Sequence, residues 1–469
     1  MKNITLFISI ISISYSMNAQ TPNIEWEKSY GGSGSDNAKS IQETSDGGYI
    51  VVGGCFSEDI DVNEYHGEGD FWILKLDTSG QIEWQKFLGG SNYEEANSIQ
   101  QTADGGFIVA GCSSSIDGNV SGNHGQKDYW ILKLNELGEI EWQKSLGGSN
   151  TDIAYAIHQI ADDGYIVAGY STSNDGDVTE NKGLTDYWIV KLNELGGIEW
   201  QKSIGGSGSD IASSIQQTQD GGFIVAGNSS SNDGNVTNNH GEDDYWIVKL
   251  TESGEIEWQK SLGGSNSDSA TSIQETLDNG FIVVGGSSSY DGDVTHNYAG
   301  LDYWIVKLNG SGEIEWQKSI GGYGVDIAEF VRQTNDEGYI VAGSSSSVNG
   351  DVSNNHGNLD YWIVKVDVAG EIEWQKSLGG SNYEIAYSIK QTNDGNYIIA
   401  GGSASNDGDV GVNYGYYDYW IVKLNGETAG TKDQDSNTLL IYPNPTKSRL
   451  NFLQIYRTLT YKIYQERFY

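Results

Sequence analysis

Proline is nearly missing from this chain. Pro22, Pro443 and Pro445 are all that 469 residues contain, and the stretch from Asn23 to Tyr442 has none. Proline removes a ladder donor and is confined to sheet edges and bulges, so its absence suits a body of paired strands. Cysteine is scarce too. Cys55 and Cys112 fall one position out of register when the chain's repeats are superposed, which argues against a disulfide and for small core-filling residues. Basic residues are few: 26 Lys and Arg against 65 Asp and Glu give a formal net charge of -39. A surface of that sign repels phosphate backbones and anionic membranes, so no nucleic-acid partner is expected. Beyond the N-terminus no segment approaches the roughly 18 apolar residues of a spanning helix, so no transmembrane segment is expected. Signatures of catalysis are missing as well, with no GxSxG elbow, HExxH, P-loop or dinucleotide fingerprint. Carboxylate pairs of the glycosidase kind are too numerous to single one out.

Glycine and aromatic residues are abundant: 63 Gly, 29 Tyr and 14 Trp. The tryptophans show a period of 58 residues. Trp26, Trp84, Trp142, Trp200, Trp258, Trp316 and Trp374 stand in variants of IEWQKSLGG, and Trp72, Trp130, Trp188, Trp246, Trp304, Trp362 and Trp420 in variants of DYWIVKL. Seven equal copies without insertion favour a closed ring over an open solenoid, whose end repeats are usually atypical.

One copy resolves into two hairpins. Residues 212–218 (ASSIQQT) and 223–229 (FIVAGNS) flank a Gly-rich turn; after a loop over 232–243, residues 245–250 (YWIVKL) return through a second turn into 256–262 (IEWQKSL). These strands are a, b, c and d. The b and c runs are apolar on both faces, whereas d alternates as a half-solvated outer strand does. Four antiparallel strands repeated radially are the blade pattern of a propeller. The expected fold is therefore all-β, a seven-bladed β-propeller of four-stranded antiparallel blades over 23–425.

The ends predict how the ring closes. The first copy begins with strand d alone at 24–30 and the last stops after strand c at 419–424, so the N-terminal strand should complete the last blade and remove the free edges. Lys on strand c and Glu on strand d recur eight residues apart, as in Lys191/Glu199 and Lys307/Glu315. By the same geometry Lys423 should face Glu25.

The strings GGSNSDSATSIQET, DNGFIVVGGSSS and DYWIVKLNGSGEIEWQKSLGG resemble the propeller repeats of secreted and surface bacterial proteins often called SBBP repeats, over 24–425. That resemblance implies the fold and no single activity. Residues 1–19 read as a signal peptide, with Lys2, an apolar core and an exit at Ala19. After a polar linker, 426–439, the string LIYPNPT with Leu450-Asn451-Phe452 looks like the opening of a type IX secretion sorting domain, which implies export and attachment at the cell surface. Only 17 residues follow Phe452, without the Gly-rich strands that complete such a domain, so 440–469 reads as a truncated remnant.

Candidate sites lie in the loops. The b–c connection is the long one, and long loops within compact repeats often carry function, so the face bearing it is the expected binding face. Its motif Asp-Gly-Asp/Asn places Asp175 with Asp177, Asp291 with Asp293 and Asp407 with Asp409, spaced to offer oxygens to Ca²⁺. Turn chemistry asks for the same residues. The acids that recur before strand a (Asp36, Glu94, Asp152, Asp210, Asp268, Asp326, Glu384) and before strand c (Asp70, Asp128, Asp186, Asp244, Asp302, Asp360, Asp418) read as strand-end caps or interblade hydrogen bonds. His66, His124, His240 and His356 share one loop register in separate blades, too far apart for one metal. The expected function is a secreted or cell-surface, monomeric, non-catalytic binding module for glycan or extracellular protein. The alternative is a polysaccharide-acting hydrolase or lyase working in the channel.

Overall fold

In the computed structural model of the protein, the described residues are 21–59 and 65–426. The signal-peptide reading at 1–19, nearly all of the linker and the sorting-domain reading lie outside them. Among the described residues no helix is long and apolar enough to cross a membrane.

The described chain forms seven four-stranded antiparallel sheets. Blades 1 to 6 are continuous: 37–88, 94–146, 152–204, 210–262, 268–320 and 326–378. In blade 4, strand a is Asp210–Gln217, b Phe223–Ser229, c Asp244–Leu250 and d Ile256–Leu262. Strand a thus starts two residues before the sequence boundary, because Asp210 pairs with Ser229. It also stops short of Thr218, whose N–H and hydroxyl are drawn into the turn by Gly222 and Asp220.

Blade 7 takes strands a, b and c from Glu384–Gln391, Tyr397–Ser403 and Asp418–Leu424, and its outer strand from Ile24–Tyr30. Glu27 pairs with Val422 and Tyr30 with Tyr419 in that last antiparallel ladder. The N-terminal strand therefore closes the ring. Each strand a touches the strand a of the blade on either side, blade 7 to blade 1 included, so these strands line a central bore.

Packing follows the pattern. Strand c is buried throughout in every blade, while d is mostly half-exposed. Each core cluster is shared between two blades: Tyr187, Ile189 and Ala168 of blade 3 meet Trp246, Val248 and Phe223 of blade 4. Apolar burial contributes about 25 cal/mol per Å², so stability resides at the seven junctions more than within any sheet. Strand a carries one bulge per blade, as between Ala212 and Ser214. The bulge presses a carbonyl towards strand b, where a Cβ on Gly227 would stand 1.9 Å from Ile211 O; only glycine fits there.

The c–d lysines are more deeply engaged than their sequence spacing suggests. Lys307 Nζ lies 3.0 Å from Glu315 and 2.9 Å from Asp278, an acid of the a–b turn. At the seam, Lys423 Nζ is 3.5 Å from Glu25 and 3.2 Å from Asp394.

Candidate functional site

The b–c loops and the d–a connections meet on one face, bound by the loop carboxylates. Asp175 Oδ1 accepts from Ser149 N at 2.7 Å and Asp177 Oδ2 from Gly147 N at 3.2 Å. Asp291 and Asp293 take Ser265 N and Gly263 N at the same distances, and Asp407 and Asp409 take Ser381 N and Gly379 N. The intervening glycine has positive φ, +66° at Gly176, as this tight turn demands. These carboxylates face backbone N–H groups of the d–a connection that leads into their blade, and among the described residues no three Asp, Glu, His or Cys side chains gather as a metal-binding group. These contacts are those of a loop fastener.

Beneath the loops the recurrent acids are fully buried. Asp210 accepts from Gly206 N and Ser231 Oγ at 2.8 and 2.9 Å. Before strand c, Asp128 Oδ2 accepts from His124 N and meets His124 Nδ1, 2.8 and 2.7 Å away; His66, His240 and His356 repeat the contact with Asp70, Asp244 and Asp360. The four histidines thus serve four separate blades. Burial, then neighbouring carboxylates, pushes the Asp302 and Asp418 carboxyls up to about 7. Cys55 and Cys112 are buried free thiols.

What distinguishes one part of this face from another is aromatic. All five exposed aromatic side chains among the described residues, Tyr290, Tyr323, Tyr383, Tyr414 and Tyr416, lie on it, over blades 5 to 7. Tyr323 and Tyr416 are 70% and 78% exposed. The Tyr323 ring sits 6.3 Å from that of Tyr298, which in turn meets His296 at 4.9 Å. Val325 and Val348 extend the patch. By contrast Tyr187 and Trp188 are wholly buried at blade junctions.

The bore holds the second departure from symmetry. At the bulge of strand a the seven blades carry Lys39, Asn97, Tyr155, Ser213, Thr271, Glu329 and Tyr387, seven positions with six residue types. Lys39 Nζ lies 3.7 Å from Glu95 and 3.8 Å from the centre of the Tyr387 ring. Burial raises the Glu329 carboxyl to about 7, with Lys39 opposing the shift. The signal was present in the sequence: superposing the copies shows this column varying beside a constant alanine column.

No family model matches the chain. A curated relative, the Regulatory protein FlaEY of Caulobacter vibrioides, is 21% identical over 379 residues, 72% of this chain and 39% of its own length. The chain thus spans about two fifths of that relative. Similar solved structures include the Pan2 WD40 domain of Neurospora crassa, 10% identical with a TM-score of 0.46 over 82% of this chain and 88% of that one. BamB of Moraxella catarrhalis is 12% identical with a TM-score of 0.35 over 85% and 99% of the two chains.

Proposed function

We propose that the protein is a non-catalytic binding module, exported to the medium or the outer cell surface, whose b–c loop face holds a glycan. The observation that carries this reading is the collection of every exposed aromatic of the described residues on one face, across three consecutive blades. Exposed tyrosines offer a flat apolar ring and a polar hydroxyl on a rigid scaffold, the pairing that a sugar's C–H face and hydroxyls require. They stand on loops and connections fastened by the Asp-Gly-Asp carboxylates and, at Tyr323, by Asn349, so little ordering entropy opposes binding. A net charge of -39 favours neutral or cationic ligands.

A glycan array tests it, run with calcium and with chelator on the parent protein and on Tyr323→Ser/Tyr416→Asn. Both substitutions install residues the chain uses at the same loop position in other blades, Ser381 and Asn358. The reading requires a glycan signal that the double variant loses and the chelator leaves in place.

Glu329, half-buried in the bore with its carboxyl raised to about 7, favours the second reading, a channel enzyme with that group as general acid. Turnover of any polysaccharide in a hydrolase and lyase panel, abolished by Glu329→Gln, would replace the binding-only view.

A further inference from the structure

Three residues past the bulge of strand a, the wall of the bore carries a ring of glutamines. Gln42 Oε1 accepts from Gln101 N at 2.7 Å, Gln100 from Gln159 N at 2.7 Å, Gln216 from Glu275 N at 3.1 Å and Gln274 from Gln333 N at 2.7 Å. Each side chain thus runs from one inner strand to the next. The other three blades break the ring, and all three breaks are basic: His158 in blade 3, Arg332 in blade 6 and Lys390 in blade 7. Blades 6 and 7 are neighbours, and in a ring of seven blade 3 lies opposite them.

Arg332 and Lys390 are held together by a third departure. Phe330 stands where five other blades have Ser and one has Ala. Arg332 Cζ is 4.1 Å and Lys390 Nζ 4.6 Å from the centre of its ring. Cations over an aromatic face gain modest stabilisation. Among the described residues no carboxylate pairs with them: Arg332 Nη1 donates to the Val331 carbonyl, and no acid opposes the burial that lowers both pKa values, that of Lys390 being lowered further by Arg332. Burial pushes the His158 imidazole down, and Arg332 and Lys390 push it further. Of the carboxylates on the inner strands, Glu329 and Glu95 face Lys39, while Glu43 and Glu275 accept from Asn393 N and Gln219 N. Arg332 and Lys390 thus meet at one aromatic ring in the bore, basic groups without an acidic partner among the described residues of a chain whose net charge is -39.

We propose that this end of the bore is a binding site for a small oxyanion, its oxygens held by Arg332 and Lys390 and faced by His158 and the glutamine amides across the ring. The planar Arg332 guanidinium presents a fork of donors that matches a carboxylate or phosphate edge. Arg332 gives the site its charge, and a bound oxyanion would draw the Lys390 amine back to its ammonium form. The site lies away from the tyrosine patch and does not rest on the glycan reading.

Titration calorimetry of the full chain tests it with two probes, inorganic phosphate and glucuronate, which separate a free phosphate from the carboxylate of an acidic sugar. Arg332→Gln/Lys390→Gln restores the residue that four blades already carry, so folding should hold, and an unchanged circular dichroism spectrum verifies it. Saturable binding of either probe at one site per chain, weakened at least ten-fold by the double variant and retained by Arg332→Lys better than by Arg332→Gln, supports the site. Absence of saturable binding of both probes at millimolar concentration, or affinity that the double variant leaves unchanged, overturns it.

Discussion

The Tyr419 hydroxyl of the last blade donates to the Trp72 carbonyl of the first at 3.1 Å, and their rings lie 4.6 Å apart. The same bond joins Tyr129 to Trp188, Tyr187 to Trp246, Tyr245 to Trp304, Tyr303 to Trp362 and Tyr361 to Trp420. Residues 347 apart in sequence are therefore bonded as residues 59 apart are elsewhere. Blade 1 carries Phe71 in place of the tyrosine, so the ring tolerates a missing hydroxyl.

Tyr303→Phe should lower stability by about 1 kcal/mol, the usual net worth of one buried hydrogen bond. Urea unfolding followed by tryptophan fluorescence measures it. A loss below a few tenths would mean the bond adds nothing.

Gly343→Ala should cost more, about 1–3 kcal/mol by overpacking, because its Cβ would stand 1.9 Å from the Ile327 carbonyl and 2.7 Å from the Tyr303 hydroxyl. Gly395→Ala is a useful comparison: it has no atom within 4 Å but a φ of +83°, so it reports backbone strain alone.

Stability should peak near pH 4. Burial lifts Asp302 and Asp418 to about 7 and Asp128 to about 6, so the native state keeps protons that the unfolded chain sheds above roughly pH 4. Those groups lower stability as pH rises from about 4 to about 7. In Asp46, Asp104, Asp220 and Asp278 burial works upward but is outweighed by the neighbouring threonine hydroxyl and lysine, and the carboxyls settle at about 2. Their contribution is present above roughly pH 4 and is lost as pH falls towards about 2. Thermal melts across pH 2 to 8 check this; a Tm that climbs steadily from pH 4 to 8 would contradict it.

Chelation should leave the loops intact, since the Asp175 and Asp177 carboxylates are held by Ser149 and Gly147 N–H groups. Asp175→Ala should speed hydrogen exchange in its own b–c loop with a loss of about 1 kcal/mol or less globally. A Tm lowered by EDTA and restored by calcium would show a cation site instead.

The period, the strand order and the closing strand could all be read from the sequence because each rests on residues that repeat. Phe223–Ser229 and Ile256–Leu262 keep the bounds that alternation and turns indicate. The second acidic partner of the strand c lysines, such as Asp278 for Lys307, was hidden because the a–b turn joins the c–d pair only once the sheet is assembled. The tyrosine patch was hidden for another reason: the chain uses tyrosine both ways, Tyr323 being 70% exposed and Tyr303 fully buried. At the bore, the bulge shifts the two-residue alternation, so His158, Arg332 and Lys390 carry no periodic signal of facing inward.

Ring closure can be measured by disulfide trapping. Cysteines at Glu27 and Val422, paired across the last ladder, should form an intrachain cross-link under mild oxidation, seen as a single linked peptide pair by mass spectrometry. Cys55 and Cys112 are buried with their thiols held above the ordinary range, and so should stay out of the reaction. The corresponding blade 6 pair, Glu27→Cys with Val364→Cys, should not link. Linkage of Glu27→Cys to Val422→Cys within one chain is the expected result, and linkage only between chains, or none, would contradict a ring closed by its own N-terminal strand.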